Sequence, residues 1–156
     1  MRVKYFGIMV VFFLLLAAVS ADAWDEMSTD DLKNLTYFDN DTEISVNNFD
    51  FTIPKGYGIS DKFNFSETDE DGITSDYRIF FNGNDSFVLV SVMSAEYGMY
   101  FDTNYLIENY VPMTIKNHDG YVQKYMDYYS FIYLDDGYVI NVAAESLDEI
   151  DKIVSY

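Results

Sequence analysis

The chain has 156 residues, a formal net charge of −18 and no cysteine. Its acidity disfavours nucleic acids and anionic lipids as partners, because their phosphates are repelled. The lack of cysteine excludes disulfides, a lipid attached to cysteine, thiolate metal sites and thiol catalysis, while 49% hydrophobic residues argue against disorder.

The first 23 residues have the three-part pattern of a secretory signal peptide. Arg2 and Lys4 precede an apolar run over residues 5–19, and small residues follow. The run is shorter than the ~20 residues of a comfortable transmembrane helix. We therefore predict cleavage after Ala21 or Ala23 and a secreted or cell-surface product with no stable membrane span. An uncleaved N-terminal membrane anchor is the alternative.

The rest of the chain is predicted to be an acidic, partly mobile lead-in at residues 24–43 and a single α+β domain at residues 44–156. Residues 44–53 indicate two strands interrupted at Asn47-Asn48, and residues 60–76 form a polar excursion. Further on, Asn82-Gly83-Asn84-Asp85 separates two apolar segments. This sequence favours a hairpin, since Asn-Gly tolerates the positive φ of tight turns.

The second half of the domain alternates helix and strand signals. A helix is predicted from Asp102 or Thr103 to about Val111, where Pro112 ends it. Hairpin-like turns follow at residues 117–120 and 135–137. Ser146-Leu147-Asp148-Glu149 is a capping box that starts a last helix.

Short connections between strands predict antiparallel pairing. Residues 87–93 are apolar on both sides of their strand, which requires cover on both faces of the sheet. We therefore predict an antiparallel sheet with one helix on each face, an α/β/α sandwich. The alternative leaves one face bare, where a partner binds.

Several short stretches carry a family resemblance. They are Phe-Thr-Ile-Pro-Lys-Gly-Tyr at residues 51–57, Asp119-Gly120-Tyr121, and the paired segments 128–134 and 138–144 that lead into residues 151–156. Residues 44–156 resemble the PsbP-like group of α/β/α sandwich proteins, and also small exported proteins of methanogenic archaea. The resemblance implies an archaeal, non-catalytic binding or assembly protein, and it assigns no functional residue.

His118 is the only histidine in the chain. Its neighbours Asn117, Asp119 and Gly120 favour a turn, where water would compete with any catalytic hydrogen bond. The chain has no Gly-x-Ser-x-Gly elbow, and one histidine without cysteine does not make a zinc site. We predict no catalytic residue, no cofactor and no enzyme activity.

An acidic stretch at residues 67–75 is similar to a calcium loop. Glu67, Asp69 and Asp71 alternate before Gly72, and Ser75 follows three residues later, as in an EF-hand loop. Arg78 stands where the loop needs its bidentate acid. We therefore predict a solvated acidic loop and no metal, with calcium binding as the alternative.

Four Asn-x-Ser/Thr triplets are candidate glycosylation sites, at Asn34, Asn40, Asn64 and Asn84. They fall in the lead-in, the polar excursion and a hairpin tip, where an acceptor asparagine is reachable. We expect at least one of them to be modified if the host glycosylates exported proteins.

Tyrosines are dense from residue 121 to residue 138. Tyr121, Tyr125, Tyr129 and Tyr133 share one parity with Phe131 and would line one strand face if the register held throughout. Such a face suits sugar stacking or protein contact, and it equally suits a core under a helix. We predict an exported, non-enzymatic binding module for a cell-surface protein or wall polymer. The alternatives are a carboxylate-dependent envelope glycan hydrolase and a cation-bridged surface component.

Overall fold

The computed structural model describes residues 35–68, 74–82, 86–94, 110–125 and 127–156. The chain divides into two units, residues 1–35 and Thr36–Tyr156, and every element named below belongs to the second unit. The elements within the described residues are β1 (Thr36–Tyr37), β2 (Thr42–Val46), β3 (Phe49–Ile53), β4 (Tyr57–Thr68), β5 (Thr74–Asn82), β6 (Phe87–Ser94), β7 (Val111–Ile115), β8 (His118–Tyr125), β9 (Tyr128–Asp135), β10 (Tyr138–Ala144) and α1 (Leu147–Ile153).

Eight of these described strands form one antiparallel sheet in the order β1-β4-β5-β6-β10-β9-β8-β7. Besides β1 at one edge, it consists of two meanders, β4-β5-β6 and β7-β8-β9-β10, in which neighbours along the chain are neighbours in the sheet. The β6–β10 ladder joins them, with Val90 opposite Val142 and Val92 opposite Ile140. Strands β2 and β3 pair with each other in a separate two-stranded sheet.

Tight turns with positive φ close the hairpins. The β2–β3 turn has Asn47 at 49° and Asn48 at 68°, and the β9–β10 turn has Asp136 at 44° and Gly137 at 79°. Two consecutive left-handed residues twist a hairpin in the sense that its strands prefer. The hairpin connection predicted at residues 135–137 is confirmed, and the interruption predicted at Asn47-Asn48 is a hairpin turn between two paired strands. The turn predicted at residues 117–120 lies earlier, at residues 116–117.

The hydrophobic core lies on one face of the sheet, which we call the hairpin face because the β2–β3 hairpin and α1 pack on it. The sheet contributes alternate residues such as Val88, Val90 and Val92 of β6, while the hairpin contributes Phe51 and others. Burial of each such large side chain stabilises the fold by about 1.5–3 kcal/mol. The largest fully buried side chains, on either face of the sheet, are Val46, Phe51, Ile53, Ile79, Phe80, Val88, Leu89, Phe131, Ile140, Ile150 and Ile153.

The other side of the sheet, which we call the far face, is also apolar in its central strands. Ile79 and Leu89 lie opposite each other there and are 1% and 2% exposed. The inference that β6 is buried on both sides is therefore confirmed, since Phe87 through Met93 are all buried.

The predicted α/β/α sandwich is wrong. The described residues are mostly strand, and α1 is the one helix among them. The hairpin face is covered largely by a β-hairpin, because residues 44–53 pair with each other and direct Phe51 and Ile53 at the sheet. The helix predicted up to Val111 lies mostly outside the described residues, but Val111 itself begins β7.

Two segments that were predicted from their polar composition to lie outside the strands also contain strands. The predicted polar excursion at residues 60–76 contains most of β4 and the start of β5. Only Thr36 and Tyr37 of β1 pair with β4, so much of β4 is an edge strand among the described residues, where polar side chains are tolerated. β1 and the start of β2 fall within the segment predicted to be a lead-in.

The helix start predicted at Ser146 is confirmed, and Ser146 is the N-cap of α1. The Glu149 backbone N–H donates to Ser146 Oγ at 3.2 Å, and Ile150 and Ile153 are buried on the hairpin face. The charges at the two ends of α1 are favourable for the helix dipole. The first turn carries the acidic Asp148 and Glu149, and the last turn carries the basic Lys152.

Candidate functional site

A surface cleft of about 460 Å³ lies at the sheet edge formed by β7, β8 and β9. It is open to solvent, since Leu134 is 52% exposed and Pro112, Thr114 and Asp119 are exposed. Its volume falls within the ~300–1,000 Å³ of small-molecule sites. The described residues that line it are Pro112, Met113, Thr114, Asp119, Gly120, Tyr121, Tyr133 and Leu134.

Strand register explains why these side chains meet. In the β7–β8 ladder, Pro112 lies opposite Tyr121 and Thr114 lies opposite Asp119. Alternate residues of a strand point to the same face, so these four side chains share the far face, where Leu134 of β9 joins them. Pro112 is tolerated because β7 is an edge strand among the described residues, where a missing N–H can face outward.

The polar part of the cleft is a cross-strand pair. Thr114 Oγ1 donates a hydrogen bond to Asp119 Oδ1 at 2.6 Å, and both residues are exposed. A carboxylate offers about four acceptor positions, so this bond orients Asp119 and leaves it able to accept from a ligand. Among the described lining residues there is no cationic side chain. The cleft therefore suits a ligand that donates hydrogen bonds and carries no negative charge.

The apolar part of the cleft is Tyr121, Pro112 and Leu134. Tyr133 also lines the cleft but is only 4% exposed. Its ring stacks on Phe131 at 5.2 Å between centroids, and burial raises the pKa of its phenol, with a smaller contribution from the charge of Asp135. Tyr133 thus stays neutral and belongs to the core, which leaves Tyr121 as the accessible aromatic ring among the described lining residues.

The predicted single face of tyrosines does not form. Tyr125 pairs with Tyr128 across a two-residue connection. Odd-numbered residues of β8 therefore share a face with even-numbered residues of β9, and not with the odd-numbered ones. As a result Tyr121 lies on the far face, whereas Tyr129 and Tyr133 lie on the hairpin face and pack against the core. Of these four tyrosines, only Tyr121 lines the described cleft.

His118 is the first residue of β8 and connects the sheet to the final residues. Its Nε2 lies 3.1 Å from the Ser155 carbonyl oxygen and donates to it, since a carbonyl only accepts. Nδ1 lies 3.7 Å from Asp135 Oδ2, and the His118 and Tyr133 rings are in contact, with their centroids 4.5 Å apart. These contacts give His118 a structural role.

The candidate calcium residues lie around the β4–β5 hairpin. Glu67 and Ser75 face each other in the ladder, and Ser75 is 7% exposed. Asp69 and Asp71 lie outside the described residues. Within the described part of the chain, no three histidine or acidic side chains are grouped as a metal site requires.

Two candidate glycosylation sites are exposed. Asn40 lies in a bend between β1 and β2, where Thr42 Oγ1 donates to the Asn40 carbonyl oxygen at 2.9 Å. Asn64 lies in β4, opposite Arg78 in the ladder. Asn34 and Asn84 fall outside the described residues. Modification of these sites stays a prediction.

A row of polar side chains, Ser91, Asn141, Ser130 and Gln123, crosses four adjacent strands on the far face. We call it the polar row. Ser91 lies opposite Asn141, Ser130 lies opposite Gln123, and Ser130 Oγ donates to Asn141 Oδ1 at 2.7 Å. Three buried polar atoms of this row have no hydrogen-bond partner among the described residues: Ser91 Oγ, Asn141 Nδ2 and Gln123 Oε1. Each unpaired group costs stability.

Two matched substitutions in the polar row are expected to act in opposite directions. Ser91→Ala removes a buried hydroxyl without a partner and should raise the free energy of unfolding by about 1 kcal/mol. Ser130→Ala deprives Asn141 Oδ1 of its donor and should lower it by about 1–3 kcal/mol. Urea unfolding measures both variants. A loss of stability in Ser91→Ala would show that its hydroxyl has a partner.

A second buried network connects β4, the residue that precedes β6, and α1. The Tyr57 hydroxyl donates to Glu149 Oε1 at 2.7 Å and lies 3.2 Å from Ser86 Oγ. Burial first, and the Glu149 hydrogen bond second, raise the pKa of Tyr57 well above its ordinary value of 10.0. The network anchors the N-terminal turn of α1 to the sheet.

These tyrosines predict a loss of stability at alkaline pH. The folded state holds the phenol protons of Tyr57 and Tyr133 more tightly than the unfolded chain does. Their stabilisation is therefore complete below about pH 10 and declines above it, by about 1.4 kcal/mol per pH unit for each tyrosine. Tyr57→Phe should make the decline shallower, because it removes one of the two phenols. Urea unfolding between about pH 8 and 11 tests this; equal slopes in the wild type and Tyr57→Phe would contradict it.

Sequence reasoning singled out Tyr121 but missed the other side chains of the cleft. A proline after a helix pattern indicates a helix stop, so Pro112 gives no reason to expect a strand there, and the turn predicted at residues 117–120 places Asp119 outside a strand. The available signal was the short connection between β7 and β8, which places residues equally distant from the turn opposite each other. Leu134 carried no signal as a single apolar residue.

In the described part of the chain, no helix has the length and apolarity needed to cross a membrane. No family model matches the chain, and neither a curated protein nor a solved structure shows significant similarity to it. The resemblance to PsbP-like and archaeal exported proteins stays a prediction.

Proposed function

We propose that this protein is an exported, non-enzymatic binding module, secreted or at the cell surface, that recognises a protein or wall polymer through the cleft at β7–β9. The observation that carries the proposal is the apolar surface of the cleft, formed by the half-buried Tyr121 and the exposed Pro112 and Leu134 beside the Thr114–Asp119 pair. These side chains stand on paired strands, so little order has to be gained on binding. The signal-like N-terminus supports export.

Binding is favoured over glycan hydrolysis by the chemistry of the cleft. Glycoside hydrolysis needs two carboxyl groups that flank the scissile bond. Among the described lining residues, Asp119 is the only carboxylate. One acid with an oriented hydrogen bond suits recognition of a ligand. The cation-bridged alternative has no comparable support in the described residues.

A retention assay on envelope fractions of the source organism tests the function. The wild-type protein should be retained, Tyr121→Ala should lose most of its retention, and Tyr37→Ala should match the wild type. Tyr37 is the control because it is an exposed tyrosine on β1, at the opposite edge of the sheet. Circular dichroism verifies that each variant is folded. Absence of wild-type retention, or equal retention of folded Tyr121→Ala, would refute the proposal.

A further inference from the structure

We propose that the cleft binds an uncharged sugar residue of a neutral polysaccharide, with one sugar face on the Tyr121 ring and sugar hydroxyls donating to the Asp119 carboxylate. This inference rests on the proposed binding function and names the class of ligand. It follows from the shape of the apolar surface, from the position of the carboxylate and from the charge of the protein.

The apolar surface of the cleft suits one flat ring. Tyr121 is the accessible aromatic residue among the described lining residues, since Tyr133 is 4% exposed and packed on Phe131. Pro112 lies opposite Tyr121 in the ladder and extends this surface across the strands. A tyrosine offers a flat apolar face with a polar edge, which matches the C–H face and hydroxyl rim of a sugar. Extended proline-rich peptides instead dock in grooves lined by several aromatic residues.

The carboxylate lies where hydroxyl groups can be recognised. Asp119 is two residues from Tyr121 on the same face of β8, a spacing of about 6.6 Å along a strand. The Thr114 hydroxyl already occupies one of its acceptor positions at 2.6 Å and restrains its rotation. Its remaining positions accept from ligand hydroxyls, and hydrogen bonds to a charged acceptor are stronger than neutral ones.

The charge of the protein disfavours anionic ligands. The formal net charge is −18, and no cationic side chain is among the described lining residues of the cleft. Phosphate-bearing and uronate-bearing polymers would meet repulsion without a compensating partner. A basic peptide would be attracted by the net charge, but most of the cleft lining is uncharged, and the described lining residues offer it one carboxylate to pair with. A neutral polyol avoids this repulsion and can donate hydrogen bonds to the single carboxylate.

Titrations of the full-length protein test this assignment. The probes are short oligosaccharides of glucose, mannose and galactose, oligogalacturonate as the anionic probe and oligolysine as the basic one. We expect saturable binding of a neutral probe with little dependence on salt. Tyr121→Ala and Asp119→Asn should each weaken it by about fivefold or more, because a stacked ring and a charge-assisted hydrogen bond each contribute about 1 kcal/mol or more. Tyr37→Ala should bind as the wild type does.

The outcomes separate this inference from the proposed function. If envelopes retain the wild type but not Tyr121→Ala, and no neutral probe binds or competes, the cleft is a binding site for another ligand and the sugar assignment is wrong. Preferential binding of oligolysine, lost at high salt, would also overturn it and indicate a basic peptide. If neither envelopes nor probes bind, both proposals fail. Equal sugar affinity in folded Tyr121→Ala would place the sugar elsewhere on the protein.

Discussion

Gly120→Ala is expected to lower the free energy of unfolding by about 3 kcal/mol, because β8 and β9 leave no room for a Cβ atom at this position. A Cβ on Gly120 would lie 2.5 Å from the Ile132 carbonyl oxygen and 2.6 Å from the Phe131 ring. The carbonyl belongs to the paired backbone of β9 and cannot rotate away. The substitution must therefore separate the strands that carry the cleft, and urea unfolding should show the loss.

Gly137→Ala provides the control for Gly120→Ala. Gly137 has φ of 79°, and a Cβ there would meet no atom within 4 Å. Alanine at this position has only the cost of a left-handed backbone, about 1 kcal/mol. If Gly120→Ala lost no more stability than Gly137→Ala, this would contradict the close packing of Gly120 against Phe131. A double variant, Gly120→Ala with Phe131→Leu, should recover only the part of the lost stability that is due to the clash with the Phe131 ring.

Phe51→Ala is expected to lower the free energy of unfolding by about 3–5 kcal/mol. Phe51 is 0% exposed at the centre of β3 and belongs to the core between the hairpin and the sheet. Its backbone also forms a bridge with Val154, just after α1. Truncation leaves a cavity where the hairpin, the helix and the sheet meet. Urea unfolding at low temperature measures the loss.

Glu43→Ala on the paired strand β2 is the matched control for Phe51→Ala. Glu43 is exposed and lies opposite Thr52, so its removal should change stability by no more than about 0.5 kcal/mol. Phe51→Leu should lie between the two. A loss below about 1 kcal/mol in Phe51→Ala would mean that the hairpin does not cover the sheet.

Local signals in the sequence predicted the parts of the fold that depend on adjacent residues. The turns at Asn47-Asn48 and Asp136-Gly137 rest on residues that tolerate positive φ, and the cap at Ser146 rests on one side-chain oxygen. Burial of β6 on both sides followed from its unbroken apolar run. In each case the determining chemistry lies within a few residues.

Sequence reasoning failed where the answer depends on distant residues or on register. Nothing in residues 44–53 says whether the hairpin joins the sheet or packs on it, because both arrangements bury Phe51. β4 was missed because its polar residues match a loop in composition, and only its pairing with β5 makes it a strand.

The cleft escaped prediction for the same reason. The tyrosine face assumed one register through residues 121–133, and the pairing of Tyr125 with Tyr128 reverses it. Thr114 and Asp119 acquire a shared role only when β7 pairs with β8. Pro112 ends a helix and tolerates an edge strand equally well, so its neighbours in the chain cannot decide between the two.

The division of the large sheet into two meanders has a kinetic consequence. Each meander is built from neighbouring hairpins, whereas the ladder of Val90 and Val142 brings together distant parts of the chain, and such closures are slow. Until it forms, the apolar inner edges of β6 and β10 are open to strands of other molecules. For the same loss of stability, we expect Val142→Ala to slow refolding in stopped-flow experiments more than Val122→Ala in β8 does. The refolding yield should also fall as protein concentration rises. Equal refolding rates in the two variants would mean that the β6–β10 ladder is not formed in the rate-limiting step.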